Sequence, residues 1–180
     1  MIGRGAMPEP ALVRRKAPFT LSVALPAIAA VASQLGWAST ARAADAPAYP
    51  QGAAAFQTNC AVCHGPAGAG IPALAPPLSS YPARYAASAE GRRQLAMTVL
   101  YGMIGEITVG EAHFNSQMPD FARLDDATLA AALNFVVFDL ARAGADIKPL
   151  AAGEIAAERA HAVDAAAVRE HRKNLAAGGS

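Results

Sequence analysis

Five consecutive residues, Cys60-Ala61-Val62-Cys63-His64, constrain this chain more than any other feature. They hold both of its cysteines, and a histidine follows the second directly. C-x-x-C-H is the pattern by which a c-type haem is attached. Two thiols add across the two vinyl groups of a porphyrin, and the two-residue gap matches the distance between those groups. The next residue is then held where its imidazole reaches the iron, so His64 is expected to ligate the metal from one face. The expected cofactor is one covalent haem c with its iron, carried on Cys60 and Cys63.

Other uses of the same residues fit less well. A thioredoxin-like dithiol sits beside a βαβ pattern, and no such pattern is legible here. Structural zinc takes four Cys or His ligands, whereas the remaining histidines, His113, His161 and His171, show no ligand spacing. A disulfide between Cys60 and Cys63 would close a very short loop and stabilise little. Aromatic residues make up only 6% of the chain, so a buried porphyrin would supply apolar surface that the side chains lack.

The first 43 residues read as an export signal. Arg14-Arg15-Lys16 precede an uncharged run from Ala17 to Thr40, and Ala41-Arg42-Ala43 offers small residues at both cleavage positions. Cleavage is expected after Ala43, with Met7 an alternative start. Left uncut, the uncharged run has the length of a membrane anchor, although Pro26 and the Gly36, Ser39 and Thr40 end weaken that reading. Membrane association is expected only in that case. Residues 1–43 carry five of the fifteen basic and one of the fourteen acidic residues, which leaves ten against thirteen. A mature chain of about −3 charge, with lysine only at Lys148 and Lys173, has neither a basic face for nucleic acid nor a lysine ring for an acidic partner.

Residues 44–146 are expected to form the working domain. Gln51 to Thr58 reads as a helix with Gly52 and Phe56 on one face. After His64, a Gly- and Pro-rich loop runs to Leu78, and the Pro76 carbonyl is the candidate acceptor for the second N–H of His64. Ala86 to Met103 reads as a helix with Leu95, Val99 and Ile104 inward. Arg92 and Arg93 on it are expected to be solvated, with a cofactor carboxylate as the alternative. Asn115-Ser116-Gln117-Met118-Pro119 reads as an irregular loop that aims a thioether at the iron. Met118 is the expected sixth ligand, because Met97 and Met103 sit on a helix where packing explains them. His113 is the rival. Asp125 to Ala143 is the clearest helix, with an acidic start, apolar Leu129, Leu133, Val136 and Leu140 at helical spacing, and Gly144 as its stop. Residues 147–180 are Ala-rich and read as a helical or flexible tail, solvated or frayed, with a partner-docking arm as the alternative.

Together these residues resemble the class I, single-haem c-type cytochromes, from about Tyr49 to Ala143. The family's glycine and aromatic before the motif correspond to Gly52 and Phe56, and its C-x-x-C-H-G to Cys60 through Gly65. Its Pro-x-Leu loop corresponds to Pro76 and Leu78, and its Met-Pro loop to Met118-Pro119. The segment from Val99 to Phe121 is similar to cytochrome domains associated with periplasmic dehydrogenases and terminal oxidases. The resemblance implies an all-α, small cytochrome c fold, with terminal helices crossing at the haem edge and long loops wrapping one haem. Phe56 would meet Phe135 or Phe138 at that crossing. It also implies a periplasmic, non-enzymatic electron carrier with redox protein partners, a dehydrogenase or a terminal reductase or oxidase. A dedicated dehydrogenase subunit, or a haem-based gas sensor or peroxidase-like protein, is the alternative.

Overall fold

Helix α1 (Pro50–Asn59) starts with a proline, whose fixed φ suits the first turn. No side chain of its own caps it. The Asp139 carboxylate does so from across the molecule, accepting from Ala48 N at 2.7 Å and Tyr49 N at 3.1 Å. The computed structural model describes residues 46–178, so the export segment and its cleavage point lie outside the described residues. One further turn, α2 (Ala61–His64), carries the motif and stops at Gly65, which takes a positive φ of 77°.

The helix expected over 86–103 is α4 (Ala89–Tyr101), and a short helix that was not expected, α3 (Tyr81–Ala86), precedes it. Ser88 divides them, because its hydroxyl accepts from Gly91 N at 3.1 Å and so favours a new helix start. Gly102 then ends α4 at φ 70°. The loop expected next contains two short antiparallel pairs: β1 (Met103–Ile104) with β4 (Gln117–Met118), and β2 (Ile107–Val109) with β3 (Ala112–Phe114). Ile104, expected inward, is 45% exposed. Strand alternation sends Met103 to the core and its neighbour to solvent.

Helix α5 (Asp126–Asn134) is capped by Asp125, whose carboxylate accepts from Thr128 N at 2.8 Å and from the Thr128 hydroxyl at 2.9 Å. It continues as a π-helical stretch, Phe135–Leu140, and ends before the expected stop at Gly144. Arg142 takes the left-handed conformation at φ 55°, and Ala143 N donates back to Val137 O at 3.0 Å.

The terminal helices of the expected domain cross at Gly52, where an added Cβ would lie 2.0 Å from Ala131 O. Beside the crossing, fully buried Phe56 meets Phe135 with ring centroids 5.4 Å apart, while Phe138 stacks on Tyr49 at 5.3 Å. Leu95, Leu100, Phe121, Leu129, Leu133 and Val137 form the main core between α4 and α5.

The Ala-rich segment is helical, as one of its two expected readings had it, and is docked through a few buried residues. It forms α6 (Ala152–Arg159) and α7 (Ala165–Gly178), and Ile155 and Val168 are fully buried against the rest. Arg92 accounts for much of this. It pairs with both Glu154 oxygens at 2.7 Å and donates to Lys148 O and Pro149 O at 2.6 and 2.9 Å. Arg93 donates to Glu158 at 3.1 Å. Carboxylates of α6 hold both arginines: Arg92 is largely buried, against the expectation of a solvated charge, whereas Arg93 stays exposed as expected, and neither lines the cavity beside the motif. Buried Asn134 adds a two-way clasp on Leu150, donating to its carbonyl at 2.9 Å and accepting from its N–H at 2.7 Å. Among the described residues, no helix is long and apolar enough to cross a membrane.

Candidate haem site

A cavity of about 350 Å³ lies between the motif, the Pro-rich loop, α4 and the paired strands. Cys60, Cys63, His64, Pro76 and Met118 all line it, so every residue singled out for the cofactor reaches one space. His113 does not line it. It is exposed on β3, with Nδ1 3.0 Å from Glu106 Oε1.

The motif side is fixed by backbone. His64 is buried, and its Nδ1 donates to the Pro76 carbonyl at 2.9 Å. That bond sets the tautomer and leaves the Nε2 lone pair free to bind a metal. Burial lowers the His64 pKa, partly offset by the Pro76 bond, which favours the neutral ring that ligation needs. Gly70 makes the arrangement possible. Its N–H donates to His64 O at 2.8 Å, and a Cβ there would lie 2.6 Å from Pro77 N. Both thiols are free and half-buried. Burial, with a smaller contribution from Cys63, pushes the Cys60 thiol up to about 11.

On the methionine side, Met118 is half-buried on β4 and pairs directly with Met103. The irregular loop expected here is therefore a strand pair, closed by Gly102, which has no room for a Cβ against Met118 O (2.3 Å). Ser116 donates its hydroxyl to Leu74 O and ties this strand to the Pro-rich loop. Met103 also lines the cavity, although its position in sequence pointed only to packing. It is buried with Met97 and Val168. Sequence reasoning also missed Gln94, Thr98, Arg123 and Arg172 on the cavity wall. The signal for the first two was a polar pair at i, i+4 within an apolar helix face.

The walls are mostly apolar, two reduced thiols stand side by side, and a neutral imidazole presents its lone pair. These residues fit a covalently held porphyrin. A family model described as cytochrome c matches residues 50–137. Cytochrome c-552 of Thermus thermophilus is 36% identical over 124 residues, covering 68% of this chain and 95% of that protein. The chain belongs to the cytochrome c family. A second cytochrome c-552, from another strain designation of Thermus thermophilus, is 35% identical over 143 residues, 78% of this chain and 91% of that protein.

The cytochrome accordingly carries haem c and iron and acts in electron transport. When bound, the haem supplies a one-electron couple, and the protein supplies burial, orientation and hydrogen bonding. Pro76 fixes the ring angle of His64 and raises its basicity. The apolar wall made by Phe56, Leu95, Val99 and Phe121 keeps water from the cofactor, which strengthens every electrostatic interaction inside.

Proposed function

We propose that this cytochrome is a periplasmic single-haem carrier that passes one electron between redox proteins through an iron ligated by His64 and Met118. Met118 and His64 line the same cavity, and that observation carries the reading. A thioether opposite an imidazole keeps the iron low-spin and raises its reduction potential. With both axial positions filled, oxygen and peroxide have no place to bind, which favours a carrier over a sensor or peroxidase. Met118 is preferred to Met103 because Pro119 stiffens its approach, whereas Met103 is packed under α7. Dehydrogenases and terminal oxidases or reductases are the partner classes, and contacts should be small and transient.

The test is spectroscopic. Met118→Ala should keep the haem attached, abolish the near-infrared sulfur–iron band, lower the potential and admit added imidazole. Met103→Ala should keep the band. The reverse pattern refutes the assignment to Met118, and a high-spin wild-type ferric spectrum refutes His/Met ligation altogether. Sequencing of the exported protein should give Ala44 as its first residue; protein retained in the cytosol with residues 1–43 attached refutes the location.

A further inference from the structure

A haem brings two propionate carboxylates, and a largely apolar cavity must neutralise or solvate them. Residues 46–83, which include the motif and the Pro-rich loop, contain no Asp, Glu, Lys or Arg. Any counter-charge from the described residues therefore comes from later in the chain. Among the described residues, Arg123 and Arg172 are the cations that line the cavity, and no carboxylate lines it. Neither forms a salt bridge, unlike Arg92, Arg93 and Arg159, which are each held by an acid.

The two arginines are placed differently. Arg123 is exposed, donates to Asn59 Oδ1 at 2.9 Å and lies over the Phe121 ring. Asn59 directly precedes Cys60, so this guanidinium belongs to the thiol edge. In a porphyrin the vinyl groups that take the thiols and the propionates lie on different edges. Arg172 is half-buried on α7, donates to Thr108 O at 3.2 Å, and shares the wall with Gln94 and Thr98 of α4. Gln94 is 1% exposed, donates to Thr98 Oγ1 at 2.9 Å and lies 2.6 Å from His171 Nδ1. This is the built polar corner of the cavity, and among the described residues its full charge comes from α7.

We propose that the Arg172 guanidinium is the counter-charge for a haem propionate, so that the C-terminal helix α7 completes the cofactor site. The inference rests on a haem in this cavity but not on the identity of the sixth ligand. A guanidinium fork matches a carboxylate better than an ammonium does. Its positive charge also disfavours the ferric state.

The experiment uses the full haem-loaded protein, with Arg172→Gln, Arg172→Lys and Arg123→Gln. At a fixed ambient potential, Arg172→Gln should raise the ferric-to-ferrous ratio roughly three- to tenfold, the scale of one half-buried charge lost near the cofactor. Arg172→Lys should restore most of the wild-type ratio while shifting the propionate-bending band in resonance Raman. Arg123→Gln should change the ratio less than twofold. An unchanged ratio in Arg172→Gln overturns the proposal, as does an Arg172→Lys protein that behaves like it. If Arg172→Gln does not fold, an unshifted propionate band in Arg172→Lys overturns it as well. The wild-type Soret band reports separately on whether the cavity holds haem.

Discussion

Gly52→Ala should destabilise this protein, although alanine is the better helix former. Within α1 the substitution improves helix propensity by about 1 kcal/mol. Against that, the new methyl would sit 2.0 Å from Ala131 O and 2.9 Å from the Phe135 Cβ. A comfortable contact needs about 3.4 Å or more, so α1 and α5 must separate by over an ångström at their crossing. A gap of that size forfeits roughly a quarter to a half of the dispersion energy of the atoms facing it. Phe56, buried to 0% exposure, and its ring pair with Phe135 bear that loss. Burial of such a side chain contributes about 3 kcal/mol and the ring pair about 1 more. Adding residual strain of about 1–3 kcal/mol and subtracting the propensity gain, the net cost should be about 1–4 kcal/mol. Gly153→Ala is the matched control. Gly153 is on α6 with nothing within 4 Å of a built Cβ, so the same change should stabilise by a few tenths to about 1 kcal/mol. Urea unfolding of the haem-loaded variants, followed by far-ultraviolet dichroism and Soret absorbance, measures both. Opposite signs are expected. A Gly52→Ala protein as stable as the wild type would show that the crossing is not set by contact at this residue.

Asn134→Ala leaves the Leu150 N–H and carbonyl without their partners in a buried place, which should cost about 2–4 kcal/mol in the same unfolding assay; a loss below about 1 kcal/mol would mean that water replaces the amide. The Glu154 carboxyl is held below the usual carboxylate range by its hydrogen bonds to Arg92, with burial opposing. Its contribution is therefore present above about pH 4.3 and disappears as pH falls through that region toward the lower folded value. The carboxylate is 40% exposed, so the effect should be no more than about 1 kcal/mol. Comparing thermal midpoints from pH 6 to 3, Glu154→Gln should flatten the slope; a parallel curve would count against the pair. Replacing Cys60 and Cys63 together by alanine should give an exported chain without covalent haem and without a sharp melting transition, checked by calorimetry, since the cavity then lacks the body that its walls pack around.

The motif was legible because covalent chemistry dictates residue type and spacing together, so Cys60, Cys63 and His64 need no tertiary knowledge. The crossing of α1 and α5 was legible only through the family resemblance, which Gly52 and Phe56 carried. The strands around Met118 were not, because pairs of two or three residues bury too little to leave an alternating pattern. Helix α3 went unread because six residues with a proline in the first turn are too few to show a helical period. The largest difference lies in α6 and α7. Their apolar content is slight, and only Ile155 and Val168 mark the inward face. Their attachment depends on arginines from α4, and a charge in sequence does not say which distant acid it will meet. For the same reason Arg92 and Arg93 were open to a solvated or a cofactor reading, and neither pointed to Glu154 and Glu158.

Met118 is stitched on both flanks, to Met103 across the strand pair and through Ser116 to the loop that holds Pro76. Under the proposed ligation by Met118, a sulfur donor on a slack loop would wander when the iron gained or lost charge, and each journey would consume driving force. One with a single resting place lets the metal change valence while its cage stands still. Rapid exchange at small driving force is the behaviour such stitching supports.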